Sequence, residues 1–156
     1  MDIELQLQAQ NLLGRYVQAI DDNRLEAWPD FFTELGRYLV TTADNVERGL
    51  PIGLMYATSR AMLRDRVKAL REANVYEAQR YRHVLGPPLI EADGGGKLRA
   101  QTNFMVARVM HSGETLLFAT GRYQDRIVLE RGEARFAEKI VILDSRQIDT
   151  LLAIPL

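Results

Sequence analysis

Three long stretches in the second half of the chain alternate apolar and polar residues: Leu98 to Met110, Thr115 to Leu129 and Ala134 to Leu143. A period of two sends successive side chains to opposite faces and marks strands. Tight turns at Ser112-Gly113 and Arg131-Gly132 join them, so the three form an antiparallel meander. Strands of about thirteen residues exceed the usual five or six. A sheet of such strands twists and curls, and Gly121 falls where a bend is easiest.

Earlier residues supply helices to lie on that sheet. Leu5, Ala9, Leu12, Leu13, Tyr16, Val17 and Ile20 repeat at helical spacing over the first twenty residues. Gly14 interrupts this stripe, and a close approach by another element would account for it. Asn23 and Glu26 have capping-box spacing for a short second helix that Pro29 ends. Trp28, Phe31 and Phe32 make a core plug beside it.

Tyr38 to Thr42 reads as a strand, Ala43 to Gly49 as a polar connection, and Leu50 to Ala57 as a second strand with Pro51 suiting it to an edge. Ser59 then caps a helix carrying Leu63, Val67 and Leu70, with Met62 and Ala69 widening the stripe. Asp65 and Lys68 are spaced to pair on its polar flank. Beyond an aromatic elbow, Tyr81, His83 and Leu85 share one strand face while Arg80, Arg82 and Val84 share the other. Pro87-Pro88 bends the chain before Leu89 and Ile90 resume the ladder, and Asp93 to Gly96 is a turn.

The order is helix, helix, strand, strand, helix, then four strands. That is an α+β domain spanning residues 1–156, its helices gathered on one face of a mostly antiparallel sheet. A long curved sheet wrapped around N-terminal helices makes a cone, similar to the nuclear transport factor 2-like fold.

The formal net charge of −1 gives no electrostatic case for nucleic acid or an anionic membrane. No apolar run approaches the roughly 20 residues of a membrane span. The opening residues lack a secretory signal's charged start and apolar block, so a cytoplasmic location is expected.

Cysteine is absent, which excludes disulfides, a thiolate nucleophile and a Rieske cluster held by this chain. His83 and His111 are the only histidines, and neither has a carboxylate at a spacing that suggests an iron triad. For acid–base chemistry inside a cone, His83 could pair with Asp30, Asp44 or Tyr16.

Arg80, Arg82, Arg99, Arg108, Arg122, Arg126 and Arg135 all fall on strands, with Glu91, Asp125 and Glu138 as acidic partners. A polar sheet face rich in arginine suits docking to another chain. The apolar tail Leu151, Leu152, Ile154, Pro155 and Leu156 requires a docking place, on its own sheet or on another subunit.

The helix Ser59 to Ala73 followed by Tyr81-Arg82-His83-Val84-Leu85-Gly86 resembles the small (β) subunit of aromatic-ring-hydroxylating dioxygenases. So do the Trp28-Pro29-Asp30-Phe31-Phe32 plug, the Asp44-to-Leu50 connection and the closing Pro155-Leu156. Phe104-Met105-Val106, Met110-His111-Ser112-Gly113-Glu114 and Asp149-Thr150-Leu151 are similar to the form in members that act on terephthalate.

The resemblance implies a subunit without catalytic, cofactor-binding or metal-ligating residues of its own. It implies a large (α) partner subunit holding a Rieske [2Fe–2S] cluster and mononuclear Fe(II), with NAD(P)H acting through a separate reductase. It also implies other β subunits in an α3β3 assembly that cis-dihydroxylates an aromatic carboxylate. The rival expectation is a free-standing isomerase or cyclase of the same cone fold.

Overall fold

The computed structural model describes residues 2–50, 53–73, 78–146 and 154–156. The first helix, α1 (Ile3–Asp21), starts where the Asp2 carboxylate accepts from Glu4 N at 3.0 Å. It buries Ala9, Leu12, Leu13, Tyr16, Val17, Ala19 and Ile20. Gly14 needs no close neighbour: a Cβ there would meet nothing within 4 Å. The expected approach of another element is therefore absent, and the helix carries the glycine on its half-exposed flank.

Asn23 does not cap a second helix. It adopts positive φ (59°) and turns the chain out of α1, a conformation asparagine tolerates better than most residues. The chain then enters a 3-10 segment, Leu25–Phe31, that contains Pro29 instead of ending at it. Arg71 holds this corner through Asn23 Oδ1 (2.8 Å) and Glu26 Oε1 (2.8 Å). Trp28 and Phe32 are fully buried and meet at 6.1 Å, nearly perpendicular, so the aromatic plug forms as expected.

Strand β1 (Phe32–Thr42) is longer than its β-branched end suggests. The polar connection after it contains a short helix, α2 (Ala43–Glu47), because Thr42 Oγ1 accepts from Asn45 N. Strand β2 is restricted to Met55–Ala57 among the described residues, and Pro51 lies outside them. It is an edge strand, turning Met55 and Ala57 inward and Tyr56 outward. Helix α3 (Arg60–Ala73) begins with Met62 N donating to the Ser59 hydroxyl at 3.2 Å. It buries Leu63 and Val67 with Leu70 packed against the core. Met62 and Ala69 point to solvent, so the stripe is narrower than expected, and Lys68 turns toward Glu72 (4.0 Å) instead of Asp65. The elbow after α3 lies outside the described residues.

The remaining strands are β3 (Gln79–Leu85), β4 (Leu89–Ala92), β5 (Leu98–Met110), β6 (Thr115–Glu130) and β7 (Glu133–Leu143). The sheet order is β2-β1-β7-β6-β5-β3, with β4 also on β5. Only the β1–β7 pair is parallel among the described residues. Both β3 and β4 run along β5, with Gly86 N donating to Asn103 O between them, so Pro87-Pro88 bends one edge without leaving the sheet. Arg131 (φ 54°) and Gly132 (φ 79°) make the β6–β7 turn, the pattern of a two-residue hairpin.

The sheet curls because one helix must touch strands far apart in its order. Tyr16 of α1 packs edge-on to Phe136 of β7 (5.4 Å) and to Tyr123 of β6 (6.2 Å), while the end of α1 reaches β3. A flat sheet could not offer all three contacts to one helix. The register slips between Val106 and Ala107, and again between Arg126 and Ile127, bulges of the kind that bend strands. Gly121 sits where a Cβ would overlap the Ile142 carbonyl, so it permits the close passage of β7. The result is the expected α+β cone.

Candidate functional site

The concave interior holds two buried polar pairs. Asp125 and Lys139 are cross-strand partners on β6 and β7, and both face inward. Lys139 Nζ lies 3.1 Å and 3.2 Å from the two Asp125 oxygens, and both side chains are wholly shielded from solvent. Three rings surround the ammonium: Tyr123 at 3.7 Å, Phe136 at 4.2 Å and Tyr16 at 4.4 Å from their centroids. Their negative faces supply part of the solvation that water would give a cation. Burial outweighs the attraction of Lys139 and pushes the Asp125 carboxyl up to about 6. Burial likewise draws the Lys139 ammonium down from its usual range, against the pull of Asp125.

The second pair is His83 and Asp21. Nδ1 of His83 lies 2.6 Å from Asp21 Oδ1, and His83 N donates to Asp21 Oδ2 at 2.8 Å. The last residue of α1 thus holds both the backbone and the ring of β3. The other ring nitrogen, Nε2, is buried without a hydrogen-bond partner among the described residues.

None of the three partners expected for His83 reaches it. Asp30 faces Arg64 (3.4 Å), Asp44 faces Arg48 (3.3 Å), and Tyr16 donates to the main chain of Leu156. Asp21 is legible by spacing: it extends the buried Leu13–Val17 stripe by one more turn, where a carboxylate must find a partner. Asp125 carries the same signal, standing between buried Tyr123 and Ile127. That alternation overrides its expected place on the polar face, and the strand turns it inward to Lys139.

His111 stands exposed at the β5–β6 turn, past the start of β3, where its N–H bonds Ala78 O at 3.1 Å, while His83 pairs with Val106 farther along that strand. No group of three His, Cys, Asp or Glu suited to a metal ion occurs among the described residues. With no cysteine in the chain, the donors of a Rieske cluster are missing too.

The far part of the interior is filled by the chain's own tail. Ile154 and Leu156 are buried, and the Leu156 carbonyl accepts from Tyr16 Oη (2.7 Å) and Tyr38 Oη (3.0 Å). Leu156 N donates back to Tyr38 Oη at 3.1 Å. Of the two docking places expected for the tail, these residues take their own cone. Burial raises the Tyr16, Tyr38 and Tyr123 hydroxyls above the ordinary phenol range, so all three stay protonated.

The outer face of the sheet differs in every respect. Arg80, Arg82, Arg99, Arg122 and Arg126 all point out and are exposed. Arg108 lies on the inner face, its guanidinium 4.4 Å above the Phe118 ring, and half-buried Arg135 pairs with Glu133. The cross-strand register lines up Arg37, Glu138, Arg126, Arg99 and Glu91 in one row. A parallel row carries Tyr56, Leu39, Ile140, Gln124, Gln101 and Leu89.

Over 153 residues, covering 98% of each chain, the sequence is 46% identical to a terephthalate 1,2-dioxygenase terminal oxygenase component subunit beta from a Comamonas species. The chain belongs to the small (β) subunits of aromatic-ring-hydroxylating dioxygenases. It is 38% identical over 145 residues to the anthranilate 1,2-dioxygenase small subunit of Burkholderia cepacia, covering 93% of this chain and 90% of that one. The SnoaL-like domain model matches residues 1–139.

Among solved structures, it superposes with a TM-score of 0.89 on a Novosphingobium aromaticivorans chain assigned as the beta subunit of an aromatic-ring-hydroxylating dioxygenase. That match has 34% identity and covers 99% of this chain and 100% of that chain. A small subunit is one component of a multicomponent dioxygenase and has a large subunit as its partner. The free-standing isomerase reading is set aside. No helix among the described residues is long and apolar enough to cross a membrane.

Proposed function

We propose that this small subunit is a single-domain, non-catalytic organiser of the large subunits, in a cytoplasmic α3β3 terminal oxygenase. The oxygenase acts on an aromatic carboxylate of the terephthalate type, the substrate class in the relatives' own names. The large subunit would hold the Rieske cluster and the mononuclear iron, fed by NAD(P)H through a reductase.

The observation that carries this reading is the state of the cone interior. An enzyme working there needs a space beside its acid–base pair. Here Leu156 and the rings of Tyr16, Tyr123 and Phe136 pack the space around the Asp125–Lys139 pair, and the groove of about 610 Å³ at Asp21 and Tyr81 is not lined by His83, whose side chain is wholly shielded. His83 is fixed by two bonds to Asp21, which supports a role in fastening β3 to α1. The iron ligand sets are likewise unsupported on this chain, because His83 lies within β3 opposite Val106 while His111 lies past the start of that strand, at the β5–β6 turn.

The test is to purify the large subunit alone and together with this chain, then measure mass, iron and turnover. The organiser role expects three of each chain in the complex, all iron on the large subunit, and a large subunit that is unstable or slow alone. A large subunit that is trimeric and fully active by itself would overturn it.

A further inference from the structure

We propose that the outer sheet face centred on Arg99 and Arg126 is where a carboxylate-bearing surface of the large subunit docks. The assignment rests on the organiser reading and names the surface through which it works.

The β5–β6 register places Arg99 and Arg126 directly opposite each other. Like charges in that position destabilise a sheet. The chain relieves this only in part: Arg99 has Glu91 at 3.6 Å and Asp93 at 3.4 Å, but the nearest carboxylate to Arg126 is Glu138 at 3.9 Å. The Arg126 side chain remains 67% exposed. Two guanidinium forks side by side, one of them loosely held, form a receptor for carboxylate oxygens.

The surroundings fit a partner surface better than a solvated face. A groove of about 390 Å³ runs beside the arginines, floored by Gln101, Gln124 and Ile140 and edged by Leu89. Leu89 is 63% exposed and Tyr56, at the other end of the same row, 55%. Apolar and aromatic anchors next to arginine are the usual composition of an interface centre.

Charge selects the occupant. Arg37, Arg80, Arg82, Arg99, Arg122 and Arg126 outnumber Glu91, Asp93 and Glu138 on this face, although the whole chain carries −1. A second copy presenting the same face would set arginines against arginines. A second copy presenting its carboxylate-rich α1 side (Asp2, Glu4, Asp22) would join opposite sides of the molecule, because α1 lies on the concave side. Contacts of that kind are heterologous, closing into a ring only at a fitting rotation and otherwise running on as a filament. A different chain with carboxylates to offer needs no such fit.

The experiment uses the chain co-produced with the large subunit of a terephthalate-type dioxygenase. Wild type, Arg99→Glu/Arg126→Glu, the milder Arg99→Gln/Arg126→Gln and the α3 control Arg64→Glu are compared by analytical ultracentrifugation, with circular dichroism reporting the fold. We expect the reversal to weaken large–small association roughly tenfold or more, the glutamine pair less, and the control not at all. Wild-type binding should also weaken with salt, and the reversal variant should lose that dependence.

A folded reversal variant that binds the large subunit as wild type does overturns the surface assignment and leaves the organiser reading standing. Loss of small–small contacts alone also overturns it, in favour of a second copy. A wild-type chain that binds no large subunit removes the organiser reading itself.

Discussion

The two faces of one sheet have opposite fates. Along β5 the inward residues Leu98, Ala100, Thr102, Phe104 and Val106 are buried by the chain's own helices and tail. The alternate residues Arg99, Gln101, Asn103 and Met105 are exposed. The same backbone therefore carries a face that the chain completes for itself and one that it leaves open. The closed face is filled: the Asp125–Lys139 pair, three tyrosines and Leu156 occupy the cone interior. Stability thus resides on the inner face and association on the outer one. Substitutions on each should move one property and spare the other.

The largest inner effect should come from Lys139→Met, which strands the Asp125 carboxylate in a dry core. A loss of about 3–5 kcal/mol is expected in denaturant unfolding. The double variant Asp125→Leu/Lys139→Met, which removes both charges, should recover most of it. Leu156→Ala should cost about 2–4 kcal/mol by opening a cavity under Tyr16 and Tyr38. Thermal unfolding of the chain at fixed concentration would check both. A result near zero for either would mean that the interior is not where the fold is held.

The ion pair also makes a pH prediction. The Asp125 carboxyl is raised to about 6 in the folded chain, against about 4 when unfolded. A raised carboxyl favours its protonated form in the fold. Its contribution is therefore fully present below about pH 4 and is lost as pH rises through the folded value of about 6. Across that window wild type should lose stability relative to Asp125→Asn, as read from urea midpoints at each pH. A flat difference would mean that the carboxyl titrates normally.

The smallest effect is on the outer face. Arg126→Gln should change the stability of the isolated chain by no more than about 0.5 kcal/mol, and in the stabilising direction, because it relieves Arg99. A large loss would show that the outer row holds the sheet together, and the comparison of faces would fail.

Much of this division can be seen in the sequence. Period-two alternation places β5, β6 and β7 within a residue or two, and helical spacing gives α1 and α3. What spacing does not reveal is which polar residues turn inward. Asp21, Asp125 and Lys139 each sit in an apolar register, but pairing Asp21 with His83 takes a 62-residue span that only the curl of the sheet brings together. Asn23 is ambiguous by spacing because Asn begins helices and also ends them at positive φ, and Arg71, far along the chain, decides which. The narrow stripe of α3 reflects its contact with the 3-10 segment and β1 instead of a broad apolar plane. The outer face is legible as a set of arginines, but the row that sets Arg99 beside Arg126 appears only once the register is known.

The most direct test of the filled interior is turnover by the assembled oxygenase carrying His83→Ala in its small subunit. Turnover is measured per iron, on complexes whose mass has been checked. The organiser account predicts turnover equal to wild type in every complex that assembles, with any defect confined to stability. Intact assembly with turnover abolished would contradict it and return the chemistry to this chain.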